Sequence, residues 1–106
     1  MAQPGAPVGP TTPALNEALL DAVEAGDEGA VEQALRDGAS QDASDGEGWS
    51  AVMIAAELGH VELVRLLAEH RANVEAPNNS GATPVCIAAH NGHAEVVRLL
   101  AELGAN

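Results

Sequence analysis

The sequence predicts an all-α solenoid of stacked helix–turn–helix units joined by hairpin-like loops. Three observations point there. The chain repeats itself at a fixed step: GWSAVMIAAELGHVELVRLLAEHRAN from Gly48 aligns with GATPVCIAAHNGHAEVVRLLAELGAN from Gly81, and 16 of the 26 aligned pairs are identical. A fixed period of this length marks an array in which each unit buries its apolar face only against its neighbours. The core must also be built without bulk, because the chain holds no Phe, no Tyr and one Trp, yet 46% of it is hydrophobic. Ala, Leu, Val and Ile suit thin helices packed closely. Finally, each unit holds two short apolar stretches divided by a glycine: Gly26, Gly59 or Gly92.

The elements follow in order. Residues 1–12 hold three prolines, two glycines and no charge, and are read as a disordered lead before a repeat domain at 13–106. Thr12-Pro13 reads as a helix start, with Thr as N-cap and Pro at the first helical position. One repeat step before Gly48 lies Leu15, and from there a looser copy runs on through LLDAVEAGDEGAVEQALRDGAS, with Ala22, Gly26, Val31 and Gly38-Ala39 in register. The three repeats are placed at about 15–47, 48–80 and 81–106. Their first helices are expected near 14–25, 51–58 and 84–91, and their second helices near 28–37, 61–70 and 94–103. Val61, Val64, Leu67 and Ala68 give the second helices their apolar period, with Glu62, Arg65 and Glu69 outside. SQDASDGEG (40–48) and NVEAPNNSG (73–81) are rich in turn formers and read as the hairpin-like loops.

At 106 residues there is room for one small domain. Sixteen acidic and four basic residues give a net charge of −12, and residues 1–47 carry the steeper imbalance. Such a field repels a phosphate backbone and an anionic membrane, so neither nucleic acid nor membrane is expected as a partner. Either a basic or mixed-charge protein surface is favoured, or the charge serves only to keep an apolar solenoid soluble. One cysteine, Cys86, excludes an internal disulfide framework. No apolar run is long enough to span a bilayer, and the N-terminus lacks the basic and apolar regions of a secretory signal. A cytoplasmic or nuclear location is the resulting expectation.

In the third copy, Gly81-Ala82-Thr83-Pro84-Val85-Cys86-Ile87-Ala88-Ala89, Gly92-His93, Val97-Arg98-Leu99-Leu100 and Gly104-Ala105-Asn106 stand in sequence. This pattern resembles the ankyrin repeat family, and the resemblance covers residues 15–106. The middle copy departs from it, with Ser50-Ala51-Val52-Met53 replacing Thr-Pro-Leu-His. Met53 and Cys86 cannot supply the bonds of the family's histidine, so modest stability is expected. Arg71 stands where the family usually has Gly at a helix end, which implies strain if its φ is positive. The first copy reads as an N-terminal cap with Glu17, Asp21, Glu24, Glu28 and Glu32 on a polar outer face. The third is as apolar as the middle one, which predicts either a fragment of a longer array or self-association through the uncapped C-terminal repeat.

The resemblance implies a non-catalytic module that binds a partner protein along its concave side, through loop tips and first helices. By position those residues are Asp45, Glu47, Trp49, Glu57 and Leu58 in the middle repeat, and Asn79, Ser80, Ala82, His90 and Asn91 in the third. Trp49, the chain's single aromatic, either anchors the partner or folds over its own loop. A second reading makes the chain a regulatory or targeting segment of a larger, enzymatic protein continuing past residue 106. The residues themselves give no enzyme: no phosphate loop and no supported Ser-His-Asp set are present. Cys86 reads as a small inward-facing hydrophobe rather than a nucleophile. His60 and His93 are explained by the repeat, so no metal site and no cofactor are expected.

Overall fold

A computed structural model describes residues 13–104; the predicted lead at 1–12, the Thr12 cap and the last two residues lie outside the described residues. Six helices follow one another: α1 (Pro13–Ala25), α2 (Glu28–Arg36), α3 (Ala51–Leu58), α4 (Val61–Glu69), α5 (Pro84–His90) and α6 (Ala94–Glu102). Each agrees with its expected span to within one residue at either end. First helices stack on first helices, α1 on α3 and α3 on α5, and α4 stacks on α6 among the second helices. Within each unit the two helices pack together, giving two helical layers one unit deep at every step. No strand forms among the described residues, and no helix among them is long and apolar enough to cross a membrane.

Capping explains where the helices begin. Asp27, Ser50 and Thr83 each accept a hydrogen bond from the backbone N–H three residues on, satisfying a donor the first turn leaves open. Pro84 sits in the first turn of α5, where a missing N–H costs nothing. α3 ends at Gly59 in the left-handed conformation, with φ 77°. An added Cβ there would also lie 2.8 Å from the ring of His93 in the next repeat. His93 Nε2 in turn lies 2.8 Å from the Glu57 carbonyl oxygen. The Gly-His pair is therefore an inter-repeat joint: glycine leaves the space and the next histidine fills it. His60 approaches Gly26 in the same way, 3.1 Å from an ideal Cβ.

The core is made of Leu19 and Val23 from α1, Val31 from α2, Val52, Ala55 and Ala56 from α3, Leu63, Val64 and Leu67 from α4, and Val96 and Leu100 from α6. Every residue from Ala51 to Ala56 is buried, because α3 lies between α1 and α5. A helix that is apolar on all sides is an interior one. α5 carries the same pattern but buries only Pro84, Ile87 and Ala88. The expectation of an inward-facing, buried Cys86 is corrected here: Cys86 is exposed. Its counterpart in the middle repeat, Met53, is fully buried. The difference is one of neighbours, since α5 packs on α3 while no described helix follows α5 in the stack of first helices. Arg71 has φ 70° and is the non-glycine with positive φ among the described residues, so the strain inferred from its position is present. Gly38 and Gly104 hold the same register position with positive φ in the other two repeats.

Candidate functional site

The loop before α3 is shaped by Asp45. One carboxylate oxygen, Oδ1, accepts from the backbone N–H of Glu47 at 2.8 Å and of Trp49 at 3.0 Å. The Asp45 N–H donates to the Trp49 carbonyl and the Gly48 N–H to the Asp45 carbonyl, both at 3.0 Å. An Asx-type turn of this kind closes the loop tip locally, and Ser44 and Ser50 pair below it as an antiparallel bridge. Gly48 has φ 84°, and an added Cβ would lie 2.7 Å from Asn79 Oδ1, so only glycine fits there. Trp49 thus leaves the turn one residue before the Ser50 cap. From that cap α3 runs on, placing Ile54, Glu57 and Leu58 at helical spacing on one face.

These residues meet in a groove of about 480 Å³, lined by Glu24 from α1, by Asp45, Glu47 and Trp49 from the loop, and by Ile54, Glu57 and Leu58 from α3. Trp49 is half-buried; it packs against the hydrophobic core and also lines the groove. Leu58 is 43% exposed, a large apolar side chain open to solvent. Four carboxylates line the groove and no basic residue does. The arginines belong to the other layer: Arg36 pairs with Glu32 at 3.6 Å on α2, Arg65 with Glu62 at 3.5 Å on α4, Arg98 is on α6 and Arg71 follows α4. Among the described residues, no arginine lines this groove.

Of the ten residues singled out in the sequence, Asp45, Glu47, Trp49, Glu57 and Leu58 come together in the groove. The other five do not line it. Asn79 clamps the two loops, its backbone N–H donating to the Glu47 carbonyl at 3.0 Å and its Nδ2 to the Gly46 carbonyl at 3.3 Å. Ser80 and Ala82 donate their N–H groups to Asn78 Oδ1, repeating one unit later the turn made by Asp45. Asn91 Nδ2 returns to the Ile87 carbonyl at 2.8 Å, and His90 is exposed in the last turn of α5. Two groove residues, Glu24 and Ile54, are not among the ten. The sequence places Glu24 on the outer face of the cap, whereas it lines the groove. The repeat register held the signal, since Glu24 stands one repeat step before Glu57.

His93 is bonded to the Glu57 carbonyl at one inter-repeat joint, and His60 lies against Gly26 at the other. Among the described residues no group of three or more His, Cys, Asp or Glu could hold a metal ion. The groove offers instead a half-buried aromatic, two aliphatic residues and fixed negative charge. Apolar anchors and complementary charge are the features by which protein surfaces in general recognise partners.

The chain belongs to the ankyrin repeat family: the family model for ankyrin repeats, in three copies, matches residues 19–106. Repeats of this family are generally protein–protein interaction modules and typically non-catalytic. No curated protein matches the chain in sequence.

Proposed function

We propose that this chain is a non-catalytic interaction module that binds a protein partner of basic or mixed charge in the groove between the first and second repeats. The observation that carries the reading is the composition of that groove: Trp49, Leu58 and Ile54 beside four carboxylates with no basic residue among them. Aromatic and aliphatic anchors supply affinity where they are desolvated, while the carboxylates steer a basic partner and repel acidic ones. The ten-residue surface proposed from the sequence narrows accordingly to its middle-repeat half plus Glu24 and Ile54.

The test is quantitative capture from a lysate with the wild-type chain, Trp49→Ala/Leu58→Ala and Leu67→Ala as baits. A partner retained by wild type and lost by a Trp49→Ala/Leu58→Ala bait of unchanged helicity supports the groove. Leu67 is fully buried, so Leu67→Ala should lose roughly 2–5 kcal/mol of stability and serves as the unfolding control. Equal retention by wild type and the groove variant removes the assignment. A second reading, self-association, is favoured by the face of the third repeat. There Cys86, Ala89 and Gly92 are exposed, whereas Met53 and Ala56, their middle-repeat counterparts, are buried and Gly59 is half-buried. Sedimentation of the same proteins decides it, a concentration-independent monomer excluding it.

A further inference from the structure

We infer that the groove is a seat for an arginine side chain, and that the partner is therefore an arginine-bearing segment anchored at the first two repeats. This rests on the reading of the groove as the partner site and names what enters it. Three features favour arginine. Trp49 brings the chain's single aromatic ring to the groove, and a guanidinium stacks on an indole as both a cation and a flat ring-like group. The four carboxylates come from three elements, Glu24 from α1, Glu57 from α3 and Asp45 and Glu47 from the loop. A planar fork with five donors bonds carboxylates on more than one edge, whereas a lysine ammonium is a compact, strongly hydrated point charge. Leu58, 43% exposed, provides the apolar surface against which the aliphatic stem of a long cation lies, with the buried Ile54 beneath the groove. The volume, about 480 Å³, falls within the ~300–1,000 Å³ usual for a ligand cleft, with room for the side chain and part of the segment that bears it.

The repeat supplies an internal comparison. One unit further on, the positions of Glu24, Asp45, Glu47, Trp49, Ile54, Glu57 and Leu58 hold Glu57, Asn78, Ser80, Ala82, Ile87, His90 and Asn91. The backbone turn is the same, with Asn78 accepting from Ser80 and Ala82 as Asp45 accepts from Glu47 and Trp49. Yet four carboxylates become one and the indole becomes a methyl group. The shared fold therefore needs neither the charge nor the aromatic, and both are concentrated at a single step of the array. That difference places the anchor at the first step.

Trp49 is the chain's single tryptophan, so its indole N–H gives one resolved cross-peak in a nitrogen–proton correlation spectrum. The experiment titrates the 15N-labelled chain with acetyl-Gly-Arg-Gly-Arg-Gly-amide, its lysine counterpart and its citrulline counterpart. Expected are a saturable shift of the indole peak with the arginine peptide, a several-fold weaker response to lysine and none to citrulline. Trp49→Ala, followed through the backbone peaks of Glu57 and Leu58, should weaken binding roughly 2- to 30-fold, the span of a cation–π contact. Glu24→Gln/Glu47→Gln/Glu57→Gln should weaken it too and flatten its salt dependence. Asp45 is left intact because it holds the loop. Equal binding of arginine and lysine peptides overturns the arginine seat while leaving a basic-partner groove standing. No response to any basic peptide overturns it as well, and the capture experiment then decides whether the groove reading survives.

Discussion

At the residue scale, the joint between repeats is a glycine that ends one first helix and the histidine that opens the second helix of the next unit. An ideal Cβ at Gly59 would meet the His93 ring at 2.8 Å, and Gly59 has φ 77°. Gly92 has nearly the same φ, 76°, but nothing lies within 4 Å of its ideal Cβ. The two glycines thus separate backbone strain from steric overlap. Gly92→Ala should lose only the left-handed cost of about 1–2 kcal/mol, partly offset by the lower chain entropy of alanine. Gly59→Ala carries that cost and must also displace His93 from the Glu57 carbonyl, so its loss should be larger by about 1 kcal/mol or more. Urea unfolding of both variants checks it, and equal midpoints would mean that His93 moves aside freely. Some of this was legible in the sequence. Gly59-His60 and Gly92-His93 announce a structural pair by repetition, and Arg71 shows its strain by standing where Gly38 and Gly104 stand in the other copies. The Asn79 clamp was not legible, because its partners Gly46 and Glu47 lie a whole repeat away and meet it only when the loops stack.

At the element scale, α3 and α5 are near-copies in different surroundings. Their apolar spacing is the same, and periodicity placed the helices to within a residue at each end. It could not say how deeply α5 is covered, because a period reports which face turns inward and not whether a neighbour lies on the other side. Met53 and Cys86 make the contrast measurable. Met53 is fully buried, so Met53→Ala should cost about 2–5 kcal/mol through lost contacts and a cavity. Cys86 is exposed, so Cys86→Ala should fall within about 0.5 kcal/mol of wild type. The native chain should likewise titrate one thiol with an aromatic disulfide reagent without denaturant. A thiol that reacts only after unfolding would show that the face of α5 is covered in solution. The groove shows the same limit: five of its residues were found by position, and Glu24 was missed because α1 reads in the sequence as a cap on its own rather than as one wall shared with α3.

At the scale of the whole molecule, charge is strongly unbalanced. The chain carries a net charge of −12, and its groove gathers Glu24, Asp45, Glu47 and Glu57 with no cation among them. The two ion pairs found among the described residues, Arg36–Glu32 and Arg65–Glu62, are solvent-exposed and on the second helices, where such pairs contribute at most about 1 kcal/mol each. Repulsion should therefore outweigh attraction, and screening should stabilise the fold. The Debye length falls from about 30 Å at 0.01 M salt to about 10 Å at 0.1 M, which is enough to decouple carboxylates on opposite walls of the array. The urea midpoint should accordingly rise as sodium chloride is added over that range, with an unchanged slope; guanidinium is unsuitable because it is itself a salt. Glu24→Gln/Glu47→Gln/Glu57→Gln should raise the low-salt midpoint and shrink the salt response. Glu17→Gln/Glu75→Gln/Glu102→Gln removes the same charge from equally exposed positions outside the groove, spread across three repeats, and should do so less. If the two triple variants behave alike, only net charge matters and the groove holds no special repulsion. If the groove variant gains more, its carboxylates are held together at a cost to the fold. A surface kept at such a cost, on a scaffold whose next step shows the fold does not require it, is the expected mark of a binding site.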